Sequence, residues 1–441
     1  MARQFAVPDL YRSPVVSRVK DARRAADPRK RDLSPSVLDF GPLRVRLARH
    51  FGFCFGVENA IEIAYRALDE HPEKAAAGRV FLLSEMIHNP HVNADLMARG
   101  VRFLRTTTGE ALVPFEALGP DDLVIIPAFG TTTEIMAALA ARGVDVEAYD
   151  TTCPFVVRVW KKSAHIGQKR FSVVVHGKRD HEETRATFSR AAADAPVVVV
   201  RDLADAEVLA AVIEGRASAD SFRARFEGRT TPGFDPVRDL ARIGVVNQTT
   251  MLASETAAIA ERLRVAVVAR DGTEDAFADT SDTLCYATKE NQDATLALIE
   301  DGLAAHADLA LVVGGSNSSN TSHLVELCED AALPTFFVES ADDLTSPREI
   351  HHVDWRTRGA RTTRDWLPTA KAGPVEVLLT AGASCPDALL DDVVRRLLLW
   401  FPDARSPDEA LAAFSAASPA PASPAPASPA PASPARGGLA A

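Results

Sequence analysis

From about residue 43 to residue 402 the chain alternates short, β-branched apolar runs with longer amphipathic stretches, and no other feature of its 441 residues narrows the fold as much. Strands followed by helices at this spacing build parallel sheets covered by helices, so the expected class is α/β. The strand candidates are 43–47, 123–126, 171–175, 197–200, 243–246, 309–313 and 375–379. The helix candidates are 57–68, 133–142, 155–165, 254–265, 291–306, 321–332 and 386–399. Most strands end in a glycine or small polar turn that feeds a helix. In parallel sheets ligands gather at that edge, because helix N-termini offer unbonded N–H groups there.

The flanks differ from this middle. Residues 1–42 carry scattered charge and proline without an apolar period, which predicts a disordered extension. Residues 403–441 are read as a low-complexity tail, with Ala, Ser and Pro repeating in near-identical units over 415–435. No uncharged apolar run is long enough to span a membrane, and the first thirty residues lack a secretory apolar core. The expected location is the cytoplasm. A plastid is the alternative if the extension is a transit peptide, against which Asp9, Asp21, Asp27 and Asp32 argue. With 49 Lys plus Arg against 60 Asp plus Glu, the net charge of −11 repels a nucleic-acid backbone. Five cysteines, odd in number and far apart, exclude a disulfide scaffold and suit a reduced compartment.

Cys54, Cys153 and Cys285 each open a candidate helix, as does Cys385. A thiolate there is stabilised by the positive end of the helix dipole. Three such thiolates can converge on one metal centre, but spacings of 99 and 132 residues match no local zinc or ferredoxin pattern. Helix-opening alone does not say which three of the four would be ligands. Cys328, with Leu324 and Leu327 on the same side of its helix, reads as core.

Polar clusters stand at other strand ends. Ser316, Asn317, Ser318, Ser319 and Asn320 follow the run LALVVGG, with more hydroxyls and amides than a helix cap needs, which points to anion binding. Thr249 and Thr250 follow IGVV, where alone they read as a cap, and Gly382 and Ser384 precede Cys385. His88 and His181 sit in polar, loop-like contexts. Glu183, unaided, reads as a first-turn helix glutamate that becomes a general acid only if a closed site raises its pKa.

Taken together, these segments resemble the LytB family of 4-hydroxy-3-methylbut-2-enyl diphosphate reductases, iron–sulfur enzymes that end the non-mevalonate (MEP) isoprenoid pathway. GFCFGVENAI, DTTCP and LCYAT look like its three cysteine motifs, and HNPHV, HGKRDHEET, VVNQTTM, GGSNSSNTSHL and TAGAS follow in the family's order. One turn departs from the common bacterial pattern: PAFG puts Phe129 where a histidine is usual, a spelling similar to the plant and cyanobacterial branch.

The resemblance implies three pseudo-repeated α/β domains in a trefoil around a central iron–sulfur site, with edges expected at 43–151, 152–281 and 282–402. It implies Cys54, Cys153 and Cys285 as ligands of one four-iron, four-sulfur (4Fe-4S) cluster per chain, with Cys385 a bystander. The iron left without a protein ligand would meet the substrate's hydroxyl. Glu183 would deliver protons and Thr249 would order that network. His88, His181, Ser318, Ser319, Asn320 and Ser384 would hold the diphosphate. Products would be isopentenyl and dimethylallyl diphosphate. No G-x-G-x-x-G turn follows any strand, so electrons are expected from a ferredoxin or flavodoxin partner. A dehydratase with an open iron and a diphosphate-binding redox sensor are the competing readings.

Overall fold

In the computed structural model, which describes residues 5–278 and 283–417, the strands sort into four sheets. The first takes Val80–Leu82 between Val101–Phe103 and Leu123–Ile125, all parallel. The second runs Val197–Val200, Ser172–His176, Ile243–Asn247 and Phe277–Ala278, also parallel. The third orders Ser36–Asp39, Leu43–Leu47, Val375–Ala381, Leu309–Val313 and Thr335–Val338, parallel except for its first pair. The fourth is an antiparallel meander of Leu344–Ser346, Glu349–Val353 and Ala360–Arg364.

Strands covered on both faces favour apolar residues at every position, and Leu309–Val313 and Val197–Val200 are apolar and buried throughout; Val375–Ala381 is buried too, with Glu376 and Thr380 as its polar exceptions. The second sheet is clamped on one side by Leu209, Ile259 and Leu263 and on the other by Val159 and Ile166. The class is α/β, as expected.

Three boundaries are corrected. Leu43–Leu47, assigned above to the first unit, pairs in register with Val375–Leu379 and so belongs to the third sheet. Val375–Ala381 suits it on both faces: Glu376 pairs with Arg44 and Arg46 on one, and Val375, Val377 and Leu379 bury with Leu43, Val45 and Leu47 on the other. The extension is ordered from residue 5: helix Val16–Ala26 buries Val16 and Val19 in the third core, and Ser36–Asp39 adds an edge strand. Two valines three residues apart suffice to dock a helix whose other faces are charged. The tail begins later than residue 403, because helix Pro407–Ala417 buries Ala410 and Leu411 in that same core. The repeats from 418 to 441, and the expected domain edge at 281, lie outside the described residues. No helix among the described residues is long and apolar enough to cross a membrane.

Candidate functional site

Cys54, Cys153 and Cys285 are the N-caps of helices Phe55–Glu70, Pro154–Gln168 and Tyr286–Ala304. None makes a side-chain cap bond, which leaves each sulfur to the first-turn amides: Gly56 and Val57, Phe155 and Val156, Ala287 and Thr288 respectively. The three sulfurs feel one another's charge, so the sequence-distant thiols share one site. Gly56 shows how close the packing is, since a Cβ there would lie 2.5 Å from the Cys153 sulfur. Burial pushes the Cys54 thiol up to about 12 and Cys153 to about 11, and raises Cys285 too, so without a cation nearby they stay protonated.

No three His, Cys, Asp or Glu side chains among the described residues close around a single metal ion. The donor set still fits a polynuclear cage: soft sulfur ligands, each facing free helix N–H groups, are what an iron–sulfur cluster takes, and its own edges space them apart. A bound metal inverts the local preference for neutral thiols. Cys385 is fully buried, and the charges it feels are those of Asp387 and Lys20 rather than those of the three. Cys328 is core, as expected.

Glu183 sits in the first turn of helix Glu182–Ala192, fully buried. Its Oε1 accepts the Thr249 N–H at 2.6 Å and its Oε2 the Thr249 hydroxyl at 2.9 Å. Burial drives its carboxyl up to about 7, against the pull of both Thr249 bonds. Its charge reaches Cys153 and Cys285, which ties it to the thiol site.

His181, the cap of that same helix, accepts the Glu183 N–H on Nδ1 at 3.2 Å. Its Nε2 lies 3.3 Å from Nε2 of His88. Phe129 stacks on His88 at a centroid distance of 4.2 Å and meets His181 edge-on at 5.6 Å. The residue in the histidine's usual place therefore backs both remaining imidazoles. Burial lowers the pKa of both, so both favour the neutral form.

The serine loop divides its work. Ser318 is spent as a helix cap, accepting from the Thr321 N–H at 3.2 Å and the Thr321 hydroxyl at 2.9 Å. Ser319 Oγ and Asn320 Nδ2, by contrast, are buried with no hydrogen-bond partner among the described residues, as donors awaiting a ligand would be. Ser384 gives its hydroxyl to the His88 carbonyl at 3.1 Å, which locks the histidine loop to the strand-end turn. Beyond the imidazoles opens a cavity of about 800 Å³ whose walls include His88, His181 and Asn317; Glu183 does not line it.

Glu85 escaped the sequence reasoning. It accepts from Asn317 Nδ2 at 2.6 Å and stands 3.5 Å from His88 Nδ1, where it would pair with a protonated ring. An acid three residues before a loop histidine was the available signal.

Residues 45–398 match the family model described as LytB protein. A 363-residue stretch is 40% identical to the 4-hydroxy-3-methylbut-2-enyl diphosphate reductase of Gloeobacter violaceus, covering 81% of this chain and 83% of that one. The enzyme of the same name from a Synechococcus strain is 39% identical over 363 residues, covering 82% and 86%. The solved E-1-hydroxy-2-methyl-but-2-enyl-4-diphosphate reductase of Plasmodium falciparum shares the fold, with a TM-score of 0.56 at 20% identity over 80% of this chain and 87% of that chain. With the motif order, the capping cysteines and these matches in agreement, the chain belongs to the LytB family.

Proposed function

We propose that this chain catalyses the two-electron reductive dehydroxylation of (E)-4-hydroxy-3-methylbut-2-enyl diphosphate to isopentenyl and dimethylallyl diphosphate, with Cys54, Cys153 and Cys285 holding a 4Fe-4S cluster. The observation that carries this reading is the meeting of three helix-capping thiols beside a buried carboxyl that titrates near neutrality. In the reaction the allylic C–O bond breaks, two electrons and two protons enter, one proton leaves with the oxygen as water, and the other is added to carbon. When bound, the cluster supplies the electrons and, at its iron without a protein ligand, a Lewis acid for a poor leaving group.

The chain's own groups do the rest. Glu183, protonated below about pH 7, holds the proton that the departing oxygen takes. Thr249 binds both carboxyl oxygens and so fixes which way that proton points. Ser319 and Asn320, with unspent buried polar atoms, and His88 and His181, facing each other across 3.3 Å, are the diphosphate donors. Ser318 and Ser384 support them by holding the loops in place. Charge-assisted bonds of this kind contribute roughly 1.5–3 kcal/mol each. Three α/β units around this centre, with strand Leu43–Leu47 lent to the third, form the proposed trefoil. A ferredoxin or flavodoxin is the proposed electron donor, since no nucleotide-binding turn is present.

The test is an anaerobic assay of iron-loaded protein with and without a strong reductant. Consumption of the substrate with two electrons per molecule supports the reductase. Turnover without reductant would make the chain a dehydratase, and binding without turnover a sensor.

A further inference from the structure

The cavity that starts at His88 and His181 continues outward between cationic side chains, most of which are already committed. Arg201 bonds Asp202 at 2.8 Å, Arg225 and Arg229 reach the buried Asp205 at 2.7 and 2.5 Å, and Arg179 donates to the Gly228 carbonyl at 3.0 Å. Two cations in the wall are different. The Lys178 ammonium and the Arg358 guanidinium have no ion-pair or hydrogen-bond partner among the described residues. They lie near enough to repel: burial holds Lys178 below its ordinary value and the Arg358 charge lowers it further, while Glu326 and Glu255 at Lys178 and Glu85 at Arg358 oppose the shift without bonding either cation.

Both are held in place by their backbones rather than by their charges. The Lys178 N–H donates to Gln248 Oε1 at 3.2 Å, and that oxygen also accepts the Thr184 hydroxyl at 3.0 Å. Arg358 stands at the tip of the hairpin joining Glu349–Val353 to Ala360–Arg364, in left-handed backbone at φ +58°, a region L-residues enter at a cost. The tip is tied by the Arg358 N–H to the Asp354 carbonyl at 2.6 Å, while the Asp354 carboxylate accepts from Arg356 N–H at 2.8 Å and Thr357 N–H at 3.1 Å. Two partnerless cations, presented by rigid turns from different sheets into one cavity, make an unfavourable arrangement that an anion between them relieves.

We propose that Lys178 and Arg358 close the outer end of the diphosphate clamp, contacting the phosphoryl oxygens farthest from the cysteines, and thereby select a diphosphate over a monophosphate. This rests on the substrate assigned above. A ligand so bound bridges the second sheet's turn to the hairpin of the fourth, while His88, His181, Ser319 and Asn320 hold its inner end.

The test is calorimetry on anaerobically purified, iron-loaded protein, with inorganic diphosphate and inorganic phosphate as probes, alongside steady-state kinetics. Lys178→Gln and Arg358→Gln are each expected to weaken diphosphate about tenfold to a hundredfold and phosphate much less. KM should rise by a similar factor with kcat kept within a few-fold, and Arg358→Lys should recover part of the loss. Arg201→Gln, in the same wall but paired with Asp202, should change neither probe's affinity. Unchanged diphosphate affinity in both Gln variants, or an equal loss in Arg201→Gln, overturns the clamp. Wild-type protein that binds diphosphate but leaves the substrate unreduced, with both Gln variants binding weakly, overturns the reductase reading and leaves the clamp standing.

Discussion

Thr249 grips both oxygens of Glu183, giving its backbone N–H to one at 2.6 Å and its hydroxyl to the other at 2.9 Å. The carboxyl is thereby oriented without being forced to ionise, because burial outweighs the two bonds and its pKa still stands at about 7. A proton donor that must work near neutrality needs that balance.

Glu183→Gln keeps the polar contacts but cannot release a proton. Turnover should fall roughly 10²- to 10⁴-fold, while iron content and diphosphate affinity stay near wild type. In the wild type the proton-bearing form disappears as pH rises through about 7, so kcat should decline on that side. A variant retaining near-normal kcat removes Glu183 from the proton path.

Thr249→Val deletes the hydroxyl donor and keeps the N–H. Each Thr249 bond lowers the Glu183 pKa, so losing one must raise it, and the alkaline limb of kcat should move to higher pH. Thr249→Ser should leave the limb in place. A limb that shifts downward or not at all contradicts the assigned bond.

The two facing Nε2 atoms of His88 and His181, 3.3 Å apart, have room for one shared proton. Burial depresses both rings. At His181 the His88, Lys178, Arg358 and Arg185 charges add to that, and at His88 Arg358 adds to it while Glu85 opposes it. A diphosphate bound there would restore the charged form, so binding should take up protons and weaken as pH rises from about 6 to 8. Calorimetry in buffers of different ionisation enthalpy measures this directly; zero uptake would show that the pair never changes charge.

Gly56 lies against the Cys153 sulfur, and a methyl group at 2.5 Å forces one of them to move. Gly56→Ala should therefore lose most of its bound iron while keeping its far-ultraviolet circular dichroism. Full iron loading in this variant would mean that Cys153 does not need its present position.

Helix Pro407–Ala417 is part of the core through Leu411, which is 2% exposed. Leu411→Ala should cost roughly 2–5 kcal/mol in chemical denaturation. A change within error would return this helix to the status of a dispensable tail.

Much of this architecture was visible in the chain. Strands such as Leu309–Val313 and Val197–Val200 announce themselves because burial on both faces demands unbroken apolar runs. Val80–Leu82 has only three residues, and Ala360–Arg364 is mostly exposed polar side chains, so neither carries such a signal. Helix Val16–Ala26 was hidden by six charged or polar neighbours around its two buried valines. At the site, helix-opening marked four cysteines alike, and it was the family's motifs that set Cys54, Cys153 and Cys285 apart from Cys385. Lys178 and Arg358 were not legible, since their relationship exists only once a hairpin folds back across 180 residues of sequence.

Iron and acid-labile sulfide, counted in anaerobically purified protein, test the centre on which the whole account depends. Wild type and Cys385→Ser should each carry about four irons and four sulfides per chain. Cys54→Ser, Cys153→Ser and Cys285→Ser should each fall well short of that with the fold intact. Equal loading in all five proteins, or loss in Cys385→Ser alone, would contradict the assignment of the three helix-capping thiols.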